Sequence, residues 1–294
     1  MHRFLLIVVI GSFAQYIDGA LGMGYGVSSS AFLIAAGLMP ALVSASVHTA
    51  ELFTSLVSGL SHLRFGNVDK KISIPLTFAG IAGGVAGAYI VSVVPGETMK
   101  PFVGIILLFL GIKIFVNFFG NGKVTLTGGG FSRRFLVILG IAGGTVDAVG
   151  GGGWGPICTS TLVAANKTEP RYIIGSVNLS EFFTTAAIVL TFGLTLGFDK
   201  FLWHITIPLI IGGIIAAPLA AYTSRKISPA TLGTAVGVIL ILLSTRTIAS
   251  FSHKMFGFWI SFNPVLTAIT IVLILTTIVI FKKAVFRKIR SEVD

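Results

Sequence analysis

Asp18-Gly-Ala-Leu-Gly-Met-Gly-Tyr-Gly26 is matched farther along the chain by Asp147-Ala-Val-Gly-Gly-Gly-Gly-Trp-Gly155. At a shift of 129, Asp18 meets Asp147, Gly22, Gly24 and Gly26 meet Gly151, Gly153 and Gly155, and Tyr25 meets Trp154. The match continues outward in both copies. At a shift of 130, Pro40 meets Pro170, Ser46 meets Ser176 and Glu51 meets Glu181. At a shift of 133, Pro75 meets Pro208, Gly80 meets Gly213, Tyr89 meets Tyr222 and Lys113 meets Arg246. Glycine matches alone come cheaply in a chain with 36 glycines, but paired acids and paired bases do not. The chain is a duplication.

Each copy holds five apolar elements, near 3–19, 24–38, 43–61, 72–94 and 101–119, then near 133–149, 154–166, 171–197, 203–222 and 229–249. One more apolar stretch, about 257–281, stands outside the repeat and leads into a basic tail, 282–294. Only 11% of the 294 residues are charged, against about 25% in a soluble domain, and 54% are hydrophobic. Apolar runs of roughly 20 residues suffice to cross a bilayer. These features predict an all-α polytopic membrane protein of two inverted five-element repeats, about 1–120 and 130–250, with one extra C-terminal transmembrane helix. The short connections leave no room for a second domain. Met1-His2-Arg3 before an apolar run looks like a secretion signal, but the second half keeps a matching segment, so the first helix is expected to be retained.

An odd number of spans per repeat makes the second copy enter from the opposite side. Lysine and arginine favour cytoplasmic loops. With every element spanning and the tail cytoplasmic, fifteen bases from Arg64 to Arg290 fall inside, and only Arg3, Lys100, Lys200 and Lys254 fall outside. The N-terminus is therefore expected outside. The net charge of +11 belongs to loops facing an anionic lipid leaflet, and no soluble face exists to carry it to a nucleic acid. Cys158 is the sole cysteine, which excludes an internal disulfide and a multi-cysteine metal site and leaves it a packing role.

Candidate functional residues cluster at the matched positions. Inverted-repeat transporters bind solutes where helices are interrupted near the midplane, and the Gly-rich stretches 19–26 and 150–155 are the obvious interruptions. Backbone N–H groups there would approach an anion closely, helped by the positive end of the following helix; the alternative is close helix packing through small residues. Gly22, Gly24, Tyr25, Gly26, Gly151, Gly153, Trp154 and Gly155 are accordingly expected to bind the solute, with Ser46, Ser176 and Asn178. The matched intramembrane bases Lys113 and Arg246 would attract an anion, although both stand near helix ends, where snorkelling competes. Two Gly-rich copies per chain do not make a channel filter, which needs four around one axis.

Carboxylates in hydrocarbon usually face a cavity or a partner. Asp18, Asp147, Glu51 and Glu181, with His48 three residues before Glu51, are the expected ion-coupling groups, for a proton or sodium. Capping of the next helix is the plainer alternative for the two aspartates. No metal and no cofactor is expected, because no His/Cys cluster and no nucleotide loop is present. No protease motif is present either, and an enzyme is not the expectation.

The paired Gly-rich segments, with Ser46-Val-His-Thr-Ala-Glu51 and Ser176-Val-Asn-Leu-Ser-Glu181, resemble the sulfite exporter TauE/SafE family of bacterial membrane proteins. The resemblance covers the ten repeat elements. It implies a transporter of the bacterial inner (cytoplasmic) membrane that moves small sulfur-containing anions, such as sulfite or organosulfonates, on an ion gradient. Position 48 is His where the second copy has Asn178, a departure from symmetry. A passive anion channel, or transport of non-sulfur carboxylates and oxyanions, stays open as the alternative, as does a homodimer.

Overall fold

A computed structural model describes residues 2–21, 23–118, 128–165, 167–223 and 229–256, with five single positions between 267 and 276. Gly22, the extra C-terminal helix and the basic tail lie outside the described residues or nearly so. Each of the ten apolar elements coincides with a helix. The first five are α1 (His2–Leu21), α2 (Tyr25–Ala35), α3 (Pro40–Arg64), α4 (Lys70–Val93) and α5 (Gly96–Phe118). The next are α6 (Arg133–Gly150), then α7 (Ser160–Ala164) entered through a π-helical turn (Gly155–Thr159), α8 (Pro170–Leu196), α9 (Trp203–Thr223) and α10 (Pro229–Phe256). Among the described residues there is no strand.

Helix ends follow local chemistry. The side chain of Asp69 caps α4 by accepting from the Lys71 N–H, and Ser132 caps α6 by accepting from Phe135. Gly151 closes α6 in a left-handed conformation, φ 69°, which glycine adopts at no steric cost. Three helical stretches, Lys70–Val93, Gly96–Asn117 and Arg171–Leu196, are long and apolar enough to cross a membrane. Exposed Ile74, Phe78, Phe102, Ile105, Phe109, Leu190 and Leu194 give them a lipid-compatible surface.

The sequence leaves open whether the second element of each copy spans, and the helices there are short. α2 has 11 residues and so rises about 16 Å, against about 30 Å of hydrocarbon. Its counterpart, Gly155–Ala164, is no longer. The Lys167 ammonium donates to the Gly130 carbonyl at 3.3 Å, so the chain leaves the α6–α7 hairpin on the face where it entered.

Small residues set the packing. Gly83 of α4 lies against the Ile141 carbonyl of α6, Gly144 of α6 lies against the Gly80 carbonyl of α4, and Gly87 lies against Thr145 and Ala148. The numbers rise together, so α4 and α6 run parallel. α9 packs on α1 in the same way, through Gly212 at Val8 and Ser12 and Gly11 at Leu209. Exchanging the copies converts one of these pairs into the other. α5 and α10 are antiparallel: Gly104 meets Ile248, Gly111 meets Leu240, and Gly237 meets Phe115. α3 and α8 are antiparallel too, since the turn after α3 touches the start of α8, with Gly175 against the Asn67 carbonyl and Ser176 against Asp69. The two pairs of corresponding helices thus run in opposite directions.

Candidate functional site: crossed helix breaks ringed by carboxylates

The two Gly-rich breaks touch each other. A Cβ built on Gly152 would lie 2.2 Å from both the Gly26 carbonyl carbon and the Val27 nitrogen, and one on Gly26 would lie 2.7 Å from the Gly152 Cα. Gly24, at φ 123°, and Gly152, at φ 145°, hold conformations that side chains resist. The Ser30 hydroxyl donates to the Gly151 carbonyl, and the Ser44 hydroxyl donates to the Ala148 carbonyl at 2.6 Å. Backbone of one copy is therefore pinned to backbone of the other.

The N–H groups at the breaks, expected to approach an anion, have partners within the chain. Carboxylates of the chain already hold them. The Tyr25 N–H donates to Asp18 Oδ1 at 3.4 Å, and the corresponding Trp154 N–H donates to Asp147 Oδ1 at 3.0 Å. Gly26 donates its N–H to the Glu51 carboxylate, whose buried Oε2 has no hydrogen-bond partner among the described residues. These acids occupy helix N-termini, where the backbone dipole favours negative charge. Glu51 lies within electrostatic reach of Asp147, Glu181 and Asp18, so the structure brings all four carboxylates to one region.

Asp147 is also the centre of a second set of contacts. Its Oδ2 lies 3.1 Å from His48 Nε2, with both side chains buried. His48 Nδ1 faces the Ser44 carbonyl at 2.8 Å and the Ser44 hydroxyl at 3.1 Å. The Asp147 carbonyl accepts from Gly152 N at 3.0 Å, which shapes the break itself. Asn178, the counterpart of His48, instead donates to the Ser58 hydroxyl at 3.0 Å.

The aromatic pair at the breaks is built in as structure. Tyr25 donates its hydroxyl to the Leu209 carbonyl at 3.1 Å, and Trp154 donates Nε1 to the Val177 carbonyl at 3.1 Å. Trp154 packs on Gly80, where any side chain would collide. Other expected residues lie away from the crossing. The Ser46 hydroxyl accepts from Leu202 N at 3.3 Å, and Ser176 accepts from Asp69 N at 2.8 Å. Those two contacts correspond under the repeat, and each ties the loop before the fourth helix of one copy to the third helix of the other. Lys113 donates to the Thr161 hydroxyl at 2.9 Å, and Arg246 is exposed on α10. Gly153 and Gly155 are buried at the break, and Cys158 is buried against Gly143 and Leu139. Among the described residues no group of three His, Cys, Asp or Glu side chains is placed to hold a metal ion.

Sequence reading missed Ser44 and Ser30. Ser44 stands four residues before His48, on the same helix face, and that spacing was the available signal. Ser30 had none, because its partner is a backbone carbonyl 121 residues away.

Apolar helices packed through glycine around buried carboxylates are the build of a polytopic membrane transporter. The family model for the sulfite exporter TauE/SafE matches residues 7–247, and the chain belongs to that family. It is 40% identical over 250 residues to the probable membrane transporter protein YtnM of Bacillus subtilis, covering 84% of this chain and 83% of that one. The probable membrane transporter protein ORF9 of a Sinorhizobium species is 24% identical over 259 residues, 86% of this chain and 95% of its own. The probable membrane transporter protein YdhB of Bacillus subtilis is 26% identical over 184 residues, 60% of this chain and 73% of its own. No solved structure matches the chain.

Proposed function

We propose that the protein is an ion-coupled secondary transporter of small anions, sulfur-containing ones first, working by alternating access around the crossed breaks. The family's name supports the sulfur anion. Antiparallel corresponding helices support two halves inverted across the membrane, and the distribution of bases supports an outside N-terminus and a cytoplasmic tail.

One observation carries the mechanism: Asp18, Asp147 and Glu51 accept from the N–H groups that an anionic solute would use. Carboxylate and solute are then alternative ligands of the same helix ends. Protonating or ion-pairing the carboxylates weakens their hold and frees those donors. Solute entry and ion entry thereby become one event, which a passive pore does not require. The test is current across proteoliposomes on a solid-supported membrane, with sulfite, thiosulfate, sulfoacetate, taurine, acetate and sulfate, under pH and sodium gradients. Saturable current for a sulfur anion that depends on an ion gradient is the expected result. Flux indifferent to every ion gradient identifies a channel instead.

A further inference from the structure

His48 and Asp147 pose a counting problem. The Ser44 carbonyl, 2.8 Å from Nδ1, can only accept. The Ser44 hydroxyl gives its hydrogen to the Ala148 carbonyl, so towards Nδ1 it can only accept as well. Nδ1 therefore carries a proton. Nε2 faces Asp147 Oδ2 at 3.1 Å, and a bare nitrogen against an ionised carboxylate would set two lone pairs together in a buried place. One further proton must lie between them, on either atom.

We propose that this shared proton is the coupling ion: His48 and Asp147 hold it while the α6–α7 hairpin is docked on α3, and surrender it to the opposite side when the two part. The inference rests on the transport reading above and names its ion and its carrier. Asp147 is suited to transmit the event, because its Oδ1 holds Trp154 N and its carbonyl holds Gly152 N at the break. Removing the proton turns an attractive contact into a repulsive one at that pivot. The corresponding place in the other copy lacks the device, since Asn178 donates to Ser58 and has no titratable nitrogen. The His48–Asp147 pair thus carries one proton per cycle. The titratable groups facing Asp147 from the packed elements are Glu51 on α3, Cys158 in the π-helical turn and Glu181 on α8, and Asp18 on α1 and Tyr25 on α2 stand one step farther off, beside Glu51. Lys113 on α5, which lies within electrostatic reach of Cys158, is directed at Thr161.

Two measurements on the whole protein test this. Isotope-edited NMR of histidine-labelled protein in nanodiscs, with His48→Asn to assign the signal, is expected to find a proton on His48 Nδ1. A bare Nδ1 overturns the proton count. In proteoliposomes held at zero membrane potential, with labelled sulfoacetate and thiosulfate as probes, one proton per anion lets one pH unit sustain about a tenfold anion gradient at equilibrium. That ratio does not depend on how many molecules are active. The wild type is expected to reach it, while His48→Asn and Asp147→Asn fall to a ratio of about one. A tenfold ratio surviving in either variant, or accumulation driven by sodium alone, overturns the inference and leaves the transport reading intact. No movement of either anion by the wild type under any gradient refutes the transport reading, with the coupling role that rests on it, and the NMR result still judges the proton count.

Discussion

Replacing Gly152 by alanine tests whether the two breaks are in backbone contact. The new Cβ would sit 2.2 Å from the Gly26 carbonyl carbon, 2.2 Å from Val27 N and 2.5 Å from Gly26 Cα. All three are backbone atoms, so no side chain can swing aside. Overpacking of this kind costs about 1–3 kcal/mol. The φ of 145° adds a penalty of about 1–3 kcal/mol for a residue with a Cβ in a sparsely populated region. Together the penalties reach about 2–6 kcal/mol, and each kcal/mol lowers the melting point of a chain this size by about 2–4 °C. Thermal melting of detergent-solubilised protein, followed by size-exclusion fluorescence, should therefore show a fall of roughly 5–20 °C. Gly130→Ala is the control, because nothing lies within 4 Å of its Cβ position, and it should match the wild type. An unshifted melting point and normal transport in Gly152→Ala would refute the crossing of the breaks.

Glu51→Gln and Glu181→Gln are each expected to abolish ion-gradient-driven current in the liposome assay while the protein still elutes as a single folded peak. Current that persists in both variants would sink the carboxylate reading. Ser46→Ala and Ser176→Ala should each lower stability by about 1 kcal/mol, through loss of a loop tether, and leave the apparent affinity for the anion unchanged; a raised KM would return them to the solute site. Trp154→Phe strips the donor from the buried Val177 carbonyl and should cost about 1–3 kcal/mol, read as a lower melting point. A neutral outcome there would show that Val177 finds another partner.

The duplication, the ten helical elements and the places where helices break were legible because they rest on local chemistry. Glycine runs, apolar lengths and acids matched at a fixed shift are properties of neighbouring residues, and Asp18 and Asp147 stand seven residues before the N–H groups they hold. The shortness of the second element in each copy was legible too, from the length of its apolar run. What faces what had no such signature. Ser46 and Glu51 sit five residues apart on one helix, yet one ties down a loop before α9 and the other meets the Gly-rich break of its own copy. Neither distance along the chain nor residue type separates those roles. His48 looked like a neighbour of Glu51 by spacing, and only the packing of α3 against α6 turns it towards Asp147, 99 residues away. Sequence by itself determined the elements, their repetition and the supply of buried charge, because propensity and hydropathy act over a few residues. Tertiary structure alone decided which carboxylate meets which donor, because glycine lets whole backbones approach until distant polar groups must satisfy one another.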